Sequence, residues 1–220
     1  MKRFALGLAL VGIVALGTPA TAVIGTIDAV PAATLLLPYF EVDLTDDQGV
    51  TTLFSINNAS QSAAVAHVVV WSNTSVPIID FDVYLTGYDV QTINMRDIVK
   101  YGILPRTADR PADPGDKISP QGPFSDDINY PGTSGPCVAP YANPVLTGAY
   151  LDFIQKSLLG LPVASPAAPG VVRCWGQPFN DQIARGYVTI DFVDKCSLLM
   201  PDTPSYYDSG IIGYENILWG

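Results

Sequence analysis

Short runs of alternating apolar and polar residues, each followed by turn-forming residues, constrain the fold of this 220-residue chain more than any other feature. Residues 79–85 are the clearest case, because every second residue is apolar and the residues between are Asp80, Asp82 and Tyr84. Side chains of a β-strand point alternately to its two faces, so this run predicts a strand with one buried face. On this interpretation Asp80 and Asp82 point outward.

Four similar runs precede or follow this strand, at residues 34–43, 50–57, 64–71 and 90–98. Pro38 lies in the first run, and since proline has no amide hydrogen to donate, that strand is expected at a sheet edge or a bulge. The third run is apolar on both faces, which is typical of a central strand. In the last run Ile93 and Met95 are expected to point inward. Five strands that each bury a face need a second sheet to cover them, so we predict a mainly β, antiparallel β-sandwich.

A long interruption follows these strands. Residues 100–143 lack periodicity and contain eight prolines, which is typical of a functional or surface-wrapping loop but equally of a mobile one. Residues 146–159 then have apolar residues at helical spacing, with Thr147 as a candidate N-cap and Gly160 at the end. The sequence therefore predicts one short helix in an otherwise loop-rich stretch.

Alternation returns at residues 186–193, which predict a later strand of the same sandwich. We therefore interpret residues 100–185 as an insertion within a single domain that spans residues 23–220. Two further segments are a Pro/Ala/Gly linker at 165–170 and a possible strand at 171–175. Because residues 210–220 are strand-like and apolar, with no polar tail, we expect the chain to continue past Gly220.

The first 22 residues predict a cleaved secretory signal peptide. Lys2 and Arg3 precede an uncharged apolar run of 14 residues, and small residues follow it. As a helix this run is about 21 Å long, too short for a hydrocarbon core of about 30 Å. No later run of 18 uncharged apolar residues occurs, so no membrane span is expected in the mature chain. The expected location is secreted, periplasmic or on the cell surface.

Acidic residues outnumber basic ones by 21 to 11. A nucleic-acid partner is not expected, because phosphate binding needs clustered Lys and Arg. Asp43, Asp46 and Asp47 in a glycine-containing turn are a weak calcium candidate, since calcium prefers oxygen ligands, but they lack EF-hand spacing. The competing interpretation is a soluble, mutually repelling acidic surface.

Three cysteines, Cys137, Cys174 and Cys196, follow the predicted signal, so one must lack a partner within the chain. If residues 171–175 and 186–193 form a hairpin, Cys196 lies nine residues beyond Tyr187. At about 3.3 Å per residue this is a distance of about 30 Å. That disfavours a Cys174–Cys196 bond. We predict a Cys137–Cys174 disulfide, and the partner of Cys196 stays open.

His67 is the only histidine, so any Ser-His-Asp or Cys-His mechanism must use it. It lies mid-strand among apolar residues, and no nucleophile elbow or phosphate-binding glycine loop accompanies it, which favours a partly buried structural role. Asp80 and Asp82, about 6.6 Å apart along one strand face, are formally a carboxylate pair for glycoside hydrolysis. We expect an outward acid pair instead, and no catalytic residue or resident cofactor.

Five stretches of the chain form a recognisable set: LFSINNAS, HVVVW and DFDVYLTGYDVQTINMRD within residues 53–97, ARGYVTIDFVDKCS at 184–197 and ENILWG at 215–220. In these stretches the chain resembles a group of uncharacterised secreted bacterial proteins with an immunoglobulin-like β-sandwich. The resemblance implies a fold and carries no activity. Two functions follow as hypotheses: a non-catalytic binding or structural module for a protein or carbohydrate ligand, or a carbohydrate-active enzyme or its accessory domain that uses Asp side chains.

Overall fold

The computed structural model describes residues 30–105, 146, 148–166, 168–194 and 199–220, which fold mainly as β-strands in antiparallel sheets. The prediction of a mainly β, antiparallel protein is therefore confirmed. The strands are β1 Thr34–Asp43, β2 Leu53–Asn58, β3 Ala64–Ser72, β4 Pro77–Leu85, β5 Val90–Asn94, β6 Pro162–Ser165, β7 Ala168–Cys174, β8 Ile183–Val193 and β9 Leu218–Trp219. The helices are α1 Met95–Val99, α2 Ala149–Leu158 and α3 Pro204–Asp208.

Two larger sheets and one hairpin organise these strands. The four-stranded sheet has the order β1-β8-β3-β4, the three-stranded sheet has the order β5-β2-β9, and β6 pairs with β7. β3 is a central strand, as predicted, because its inner residues Val68 and Val70 and its outer residue Val69 are all fully buried. One hydrophobic core contains residues of both larger sheets, including Phe81 of β4 and Ile56 of β2.

β1 lies at the edge of the four-stranded sheet beside β8, and its register with β8 shifts between Leu37 and Phe40. Pro38 lies at this irregularity, so the prediction of an edge or a bulge is confirmed on both counts. Across the shift, Gly186 of β8 packs so closely that a Cβ there would lie 2.0 Å from the carbonyl oxygen of Trp71. Only glycine fits at this point of the sheet.

The strand predicted over residues 90–98 is wrong beyond Asn94, where α1 begins. The Asn94 side chain accepts a hydrogen bond from the backbone N–H of Arg96 (3.1 Å), which caps the helix. Met95, predicted as an inward strand residue, is buried on α1 instead. A short apolar run is compatible with the two-residue period of a strand and with the 3.6-residue period of a helix. Here the Asn94 cap favours the helix.

The insertion is more regular than the sequence predicted. α2 begins at Ala149 with Gly148 as N-cap, three residues after the predicted start, whereas Thr147 lies outside the described residues. Gly160 follows the helix with a φ of +71°, a conformation that favours glycine. The predicted linker at 165–170 is wrong in part, because β7 already begins at Ala168 and pairs with β6.

β8 begins at Ile183 and pairs with β1 and β3, so it joins the four-stranded sheet. Since β7 pairs with β6, the hairpin assumed between residues 171–175 and 186–193 is wrong. The argument against a Cys174–Cys196 bond therefore loses its basis. Residues Pro31–Gly220 form one compact unit, and none of the helices in the described part of this unit is long and apolar enough to cross a bilayer.

The C-terminal stretch contains an element that packs on the outer face of the four-stranded sheet, where the sequence analysis predicted none. The strand-like run at 210–220 contributes only β9 and an isolated bridge between Ile212 and Val193. Before it lies α3, which the sequence analysis did not foresee and which begins with a proline. Tyr206 of α3 is fully buried, and Ile211 is nearly so, yet neither belongs to the core that the two sheets share. Tyr206 packs instead against His67, on the opposite face of the four-stranded sheet.

Candidate functional site

The turn that carries the calcium candidates is formed as predicted, and its carboxylates are used in local hydrogen bonds. The Gly49 N–H donates to the Asp46 carbonyl (3.2 Å). Oδ1 of Asp43 accepts from the backbone N–H of Asp46 (2.9 Å) and of Thr45 (2.8 Å). These backbone hydrogen bonds lower the pKa of Asp43. Asp43 therefore stabilises the start of the turn.

Asp47 points to a different set of partners. Its Oδ1 accepts from the Lys100 ammonium and from the Tyr101 hydroxyl, and the hydrogen bond with Lys100 is the main cause of its lowered pKa. Asp46 accepts from the Gln48 N–H (2.8 Å). Within the described ranges no three His, Cys, Asp or Glu residues are placed to hold a metal ion. Calcium binding here stays a prediction from sequence alone.

The predicted Cys137–Cys174 disulfide involves one described residue. Cys174 ends β7 as an exposed free thiol. Cys137 and Cys196 lie outside the described residues. Among the described residues there is thus no disulfide to support the pairing, and alkylation of the unreduced chain followed by peptide mass mapping would test it.

His67 is the centre of a polar cluster on the outer face of the four-stranded sheet. It lies on β3 directly opposite Asp82 of β4 and Asp191 of β8, so two acids flank it across the strands. Nδ1 of His67 lies 2.7 Å from Oδ1 of Asp82, and Nε2 lies 3.9 Å from Oδ2 of Asp80. One histidine is therefore surrounded by three carboxylates.

The centre of this cluster is buried, while Asp80 and Asp191 at its margin are partly buried. His67 is 0% exposed and Asp82 only 2% exposed, so Asp82 lies on the outer face as predicted but is not exposed there. The ring of Tyr206 lies 5.5 Å from that of His67, and its hydroxyl donates to Oδ2 of Asp191 (2.6 Å). The other oxygen of Asp191 accepts from the Thr34 hydroxyl (2.7 Å). α3 thus closes the cluster.

Burial and charge act in opposite directions on His67. Burial alone lowers its pKa, but the hydrogen bond with Asp82 and the charges of Asp82, Asp80 and Asp191 together leave the pKa above its ordinary value. Burial also raises the pKa of Asp80. Within the part of the chain that the structure describes, the Nε2 atom of His67 and Oδ2 of Asp80 have no hydrogen-bond partner, although both are buried. The arrangement favours a buried, charged histidine that binds sheet and covering helix together.

The cluster contains an acid–base group and carboxylates, but its two central side chains, His67 and Asp82, are buried away from a substrate. The sequence analysis identified His67, Asp80 and Asp82 individually and missed Asp191 and Tyr206. Alternation indicated that Asp191 and His67 each face one side of a strand. It could not indicate that the two strands are neighbours in a register that places these residues opposite each other.

A second feature, which we call the aromatic groove, is open to solvent. Its volume is about 240 Å³, and it is lined by Pro38, Tyr39, Asn73, Phe179, Arg185, Gly186 and Tyr187. Tyr39 and Phe179 are 53% and 55% exposed. Tyr187 stacks on Trp71 with ring centroids 5.7 Å apart and planes only 3° apart. Exposed aromatic rings around a concavity indicate a recognition surface.

Three separate segments build the aromatic groove. The bulge of β1 presents Tyr39, β8 presents Arg185 and Tyr187, and the loop between β7 and β8 presents Phe179. Asn73 fixes that loop, because its side chain accepts from the Gln177 N–H (2.7 Å) and donates to the Gln177 carbonyl (3.0 Å). The insertion therefore contributes a wall of the groove.

Charge in the aromatic groove is internally paired. The Arg185 guanidinium donates to both oxygens of Asp181, from Nη1 (2.9 Å) and Nη2 (2.8 Å), and this bidentate bond raises the pKa of Arg185. The same guanidinium lies 5.0 Å from the ring centre of Phe179. The Tyr39 hydroxyl donates to Glu41 (2.9 Å). The described lining of the groove thus combines aromatic faces with a paired guanidinium, and the carboxylates of Asp181 and Glu41 lie beside the lining, bonded to Arg185 and Tyr39.

Two sequence features partly indicated this groove. Pro38 indicated the irregularity that exposes Tyr39, and the alternation at 186–193 placed Tyr187 on the outer face. Phe179 had no periodic context. Comparisons of the whole chain with protein-family models, curated proteins and solved structures return no match.

Proposed function

We propose that this protein is an exported, non-catalytic binding module with an immunoglobulin-like β-sandwich, and that its ligand contacts the aromatic groove. The observation that carries the proposal is the pair of half-exposed rings, Tyr39 and Phe179, on either side of a concave surface. An isolated exposed aromatic is ordinary, but a group of them around one groove is typical of ligand-binding surfaces.

The fold supports a role of this kind. Antiparallel sheets of four and three strands that share one core are compatible with an immunoglobulin-like sandwich. Such a scaffold is rigid and commonly carries its variable chemistry on loops. Phe179, in the loop before β8, is a loop residue of this type within the insertion.

Export is supported by the amino-terminal pattern of the chain. Expression of the chain in a bacterium with an intact secretory pathway should yield a mature protein that begins at Val23, as measured by intact mass and amino-terminal sequencing. A protein that keeps residues 1–22 and stays in the cytoplasm would contradict this part of the proposal.

The alternative, a carbohydrate-active enzyme that uses Asp side chains, receives no support from the His67 cluster. Glycoside hydrolysis needs two carboxyl groups on either side of an accessible bond. Asp82 is buried and Tyr206 covers the histidine between the acids. The carboxylates converge on His67, but His67 and Asp82 at the centre are buried, so they are not open to a substrate.

The experiment that tests the proposal compares the chain with Phe179→Ala on arrays of immobilised peptides and oligosaccharides. We expect at least one ligand whose binding to the Phe179→Ala variant is about tenfold weaker or more, as for a central aromatic contact. Tyr214→Ala is the matched control, since Tyr214 is 88% exposed and does not line the groove. Equal binding by both variants, or turnover of chromogenic glycosides, would contradict the proposal.

A further inference from the structure

We infer that the aromatic groove binds a single uncharged sugar ring of a polysaccharide or oligosaccharide. This inference rests on the proposed binding function and adds the chemical class of the ligand. It is drawn from three observations: the ring-sized volume of the groove, the pairing of Arg185 in its lining with Asp181 and Glu41, and the partly exposed carboxylate oxygens of these two acids beside it.

Size limits the part of a ligand that can enter. Pockets that enclose drug-sized molecules have volumes of about 300–1,000 Å³, and the aromatic groove has about 240 Å³. It therefore accepts about one ring rather than a whole oligomer. Trp71 covers one face of Tyr187 and does not line the groove, so a bound ring meets the remaining surface of Tyr187.

Charge excludes anionic ligands. Arg185 is the only cationic residue of the lining, and its guanidinium is already held by both oxygens of Asp181 and lies 3.9 Å from Glu41. Two carboxylates against one guanidinium leave the groove region negative, and the whole chain has a net charge of −10. A phosphate, sulfate or uronate would be repelled.

Hydrogen bonding distinguishes a sugar from a proline-rich peptide, which also docks in aromatic grooves. The side chains of Asp181 and Glu41 are 41% and 34% exposed, so their carboxylates still have accessible acceptor positions. Sugar hydroxyls donate to such acceptors, whereas a proline ring has no donor. The apolar C–H face of a pyranose can then lie against Tyr39 or Phe179, as apolar faces do on aromatic rings.

Isothermal titration calorimetry with defined hexasaccharides tests this inference. The probes are neutral hexamers of glucose, mannose and N-acetylglucosamine, with hexagalacturonate as the anionic counterpart and a proline-rich peptide as the competing class. We expect at least one neutral hexamer to bind, with affinity reduced about tenfold or more in both Tyr39→Ala and Phe179→Ala. Tyr214→Ala should bind like the unmodified chain, and hexagalacturonate should bind more weakly than the neutral hexamer of similar linkage.

Three results would overturn the inference. Binding of the peptide at the groove without binding of any neutral sugar would refute the sugar class and leave the binding function standing. Sugar binding that neither groove variant weakens would refute the groove itself, and with it the proposed function. Tighter binding of hexagalacturonate than of neutral hexamers would refute the charge argument. Tyr39 and Phe179 are half exposed, so both variants should keep the fold, and circular dichroism checks this.

Discussion

At the scale of single residues, His67 is the central contact on the outer face of the four-stranded sheet, because it pairs with Asp82 and its ring lies beside that of Tyr206. A buried imidazole with Asp82 at 2.7 Å and Asp80 at 3.9 Å gains charge stabilisation only while it is protonated. Because removing one partner of a buried ion pair leaves an uncompensated charge, the pair is costly to break even where its formation contributes little.

The pH dependence of stability follows from the direction of the pKa shifts. Since the pKa of folded His67 is raised, its contribution is complete below the unfolded pKa of about 6.5 and is lost as pH rises through the folded pKa. The raised pKa of Asp80 also makes the free energy of unfolding fall as pH rises, but at lower pH. We expect the free energy of unfolding, measured by urea denaturation, to fall as pH rises above about 6.5. His67→Gln should be destabilised by about 3–5 kcal/mol at the acidic end and lose this slope.

Because the chain contains one histidine, its proton NMR titration reports the same pKa without overlap. A titration at or below the ordinary histidine value would contradict the buried charged pair, as would an unchanged slope in His67→Gln.

Gly186 is the second residue whose identity is fixed by its surroundings. A Cβ there would lie 2.0 Å from the Trp71 carbonyl oxygen and 2.9 Å from Cε1 of Phe40. We expect Gly186→Ala to lower the free energy of unfolding by about 1–3 kcal/mol, as for overpacked cores. Gly170→Ala is the matched control, because a Cβ at that position meets nothing within 4 Å. A chemical denaturation series in which both variants are equally stable would refute the close packing.

At the scale of secondary-structure elements, α3 shows how a five-residue helix is kept in place. Short helices are marginal on their own, so most of their stability comes from tertiary contacts. Tyr206 supplies such contacts, because its ring is fully buried against His67 and its hydroxyl donates to Asp191. Burial, and secondly this hydrogen bond, raise its pKa, so the hydroxyl keeps the proton that it donates.

Removing that hydroxyl tests the attachment of α3. Tyr206→Phe keeps the ring and loses a hydrogen bond to a charged acceptor, so we expect a loss of about 1.5–3 kcal/mol in unfolding free energy. Tyr207→Phe is the control, since Tyr207 is 60% exposed, and its effect should stay within about 0.5 kcal/mol. Hydrogen exchange of the α3 amides should accelerate in Tyr206→Phe alone. Equal protection in both variants would mean that the bond to Asp191 does not hold the helix.

At the scale of the whole molecule, excess negative charge opposes the compact state. The described surface carries exposed ion pairs such as Lys156–Asp152 at 2.8 Å, each worth about 0–1 kcal/mol. They are few beside a net charge of −10, so self-repulsion is the larger electrostatic effect.

Added sodium chloride should therefore stabilise the protein. Between about 10 mM and about 0.5 M salt, screening shortens the range of repulsion to a few ångströms, so we expect the melting temperature to rise in scanning calorimetry. Chloride is used because sulfate strengthens apolar burial whatever the charge. A falling melting temperature would mean that the ion pairs outweigh the repulsion.

The sequence predicted the fold class and several particulars, including the central position of β3, the turn after Asp46 and the irregularity at Pro38. It was wrong where a local pattern fits two structures, as at Met95, where the Asn94 cap turned a predicted strand into a helix. It was also wrong about the exposure of Asp82, because the outer face of the sheet is covered by α3. That covering depends on residues far along the chain.

Alternation is a local property with a period of two residues, so the sequence by itself indicated most strands of the two larger sheets and which of their side chains share a face. Strand neighbours and their register depend on how all apolar faces pack at once, and only the tertiary structure decided them. It placed Asp82 and Asp191 on either side of His67, packed Tyr206 against His67, and brought Tyr39 of β1 together with Phe179 and Tyr187, which lie much later in the chain, around one groove.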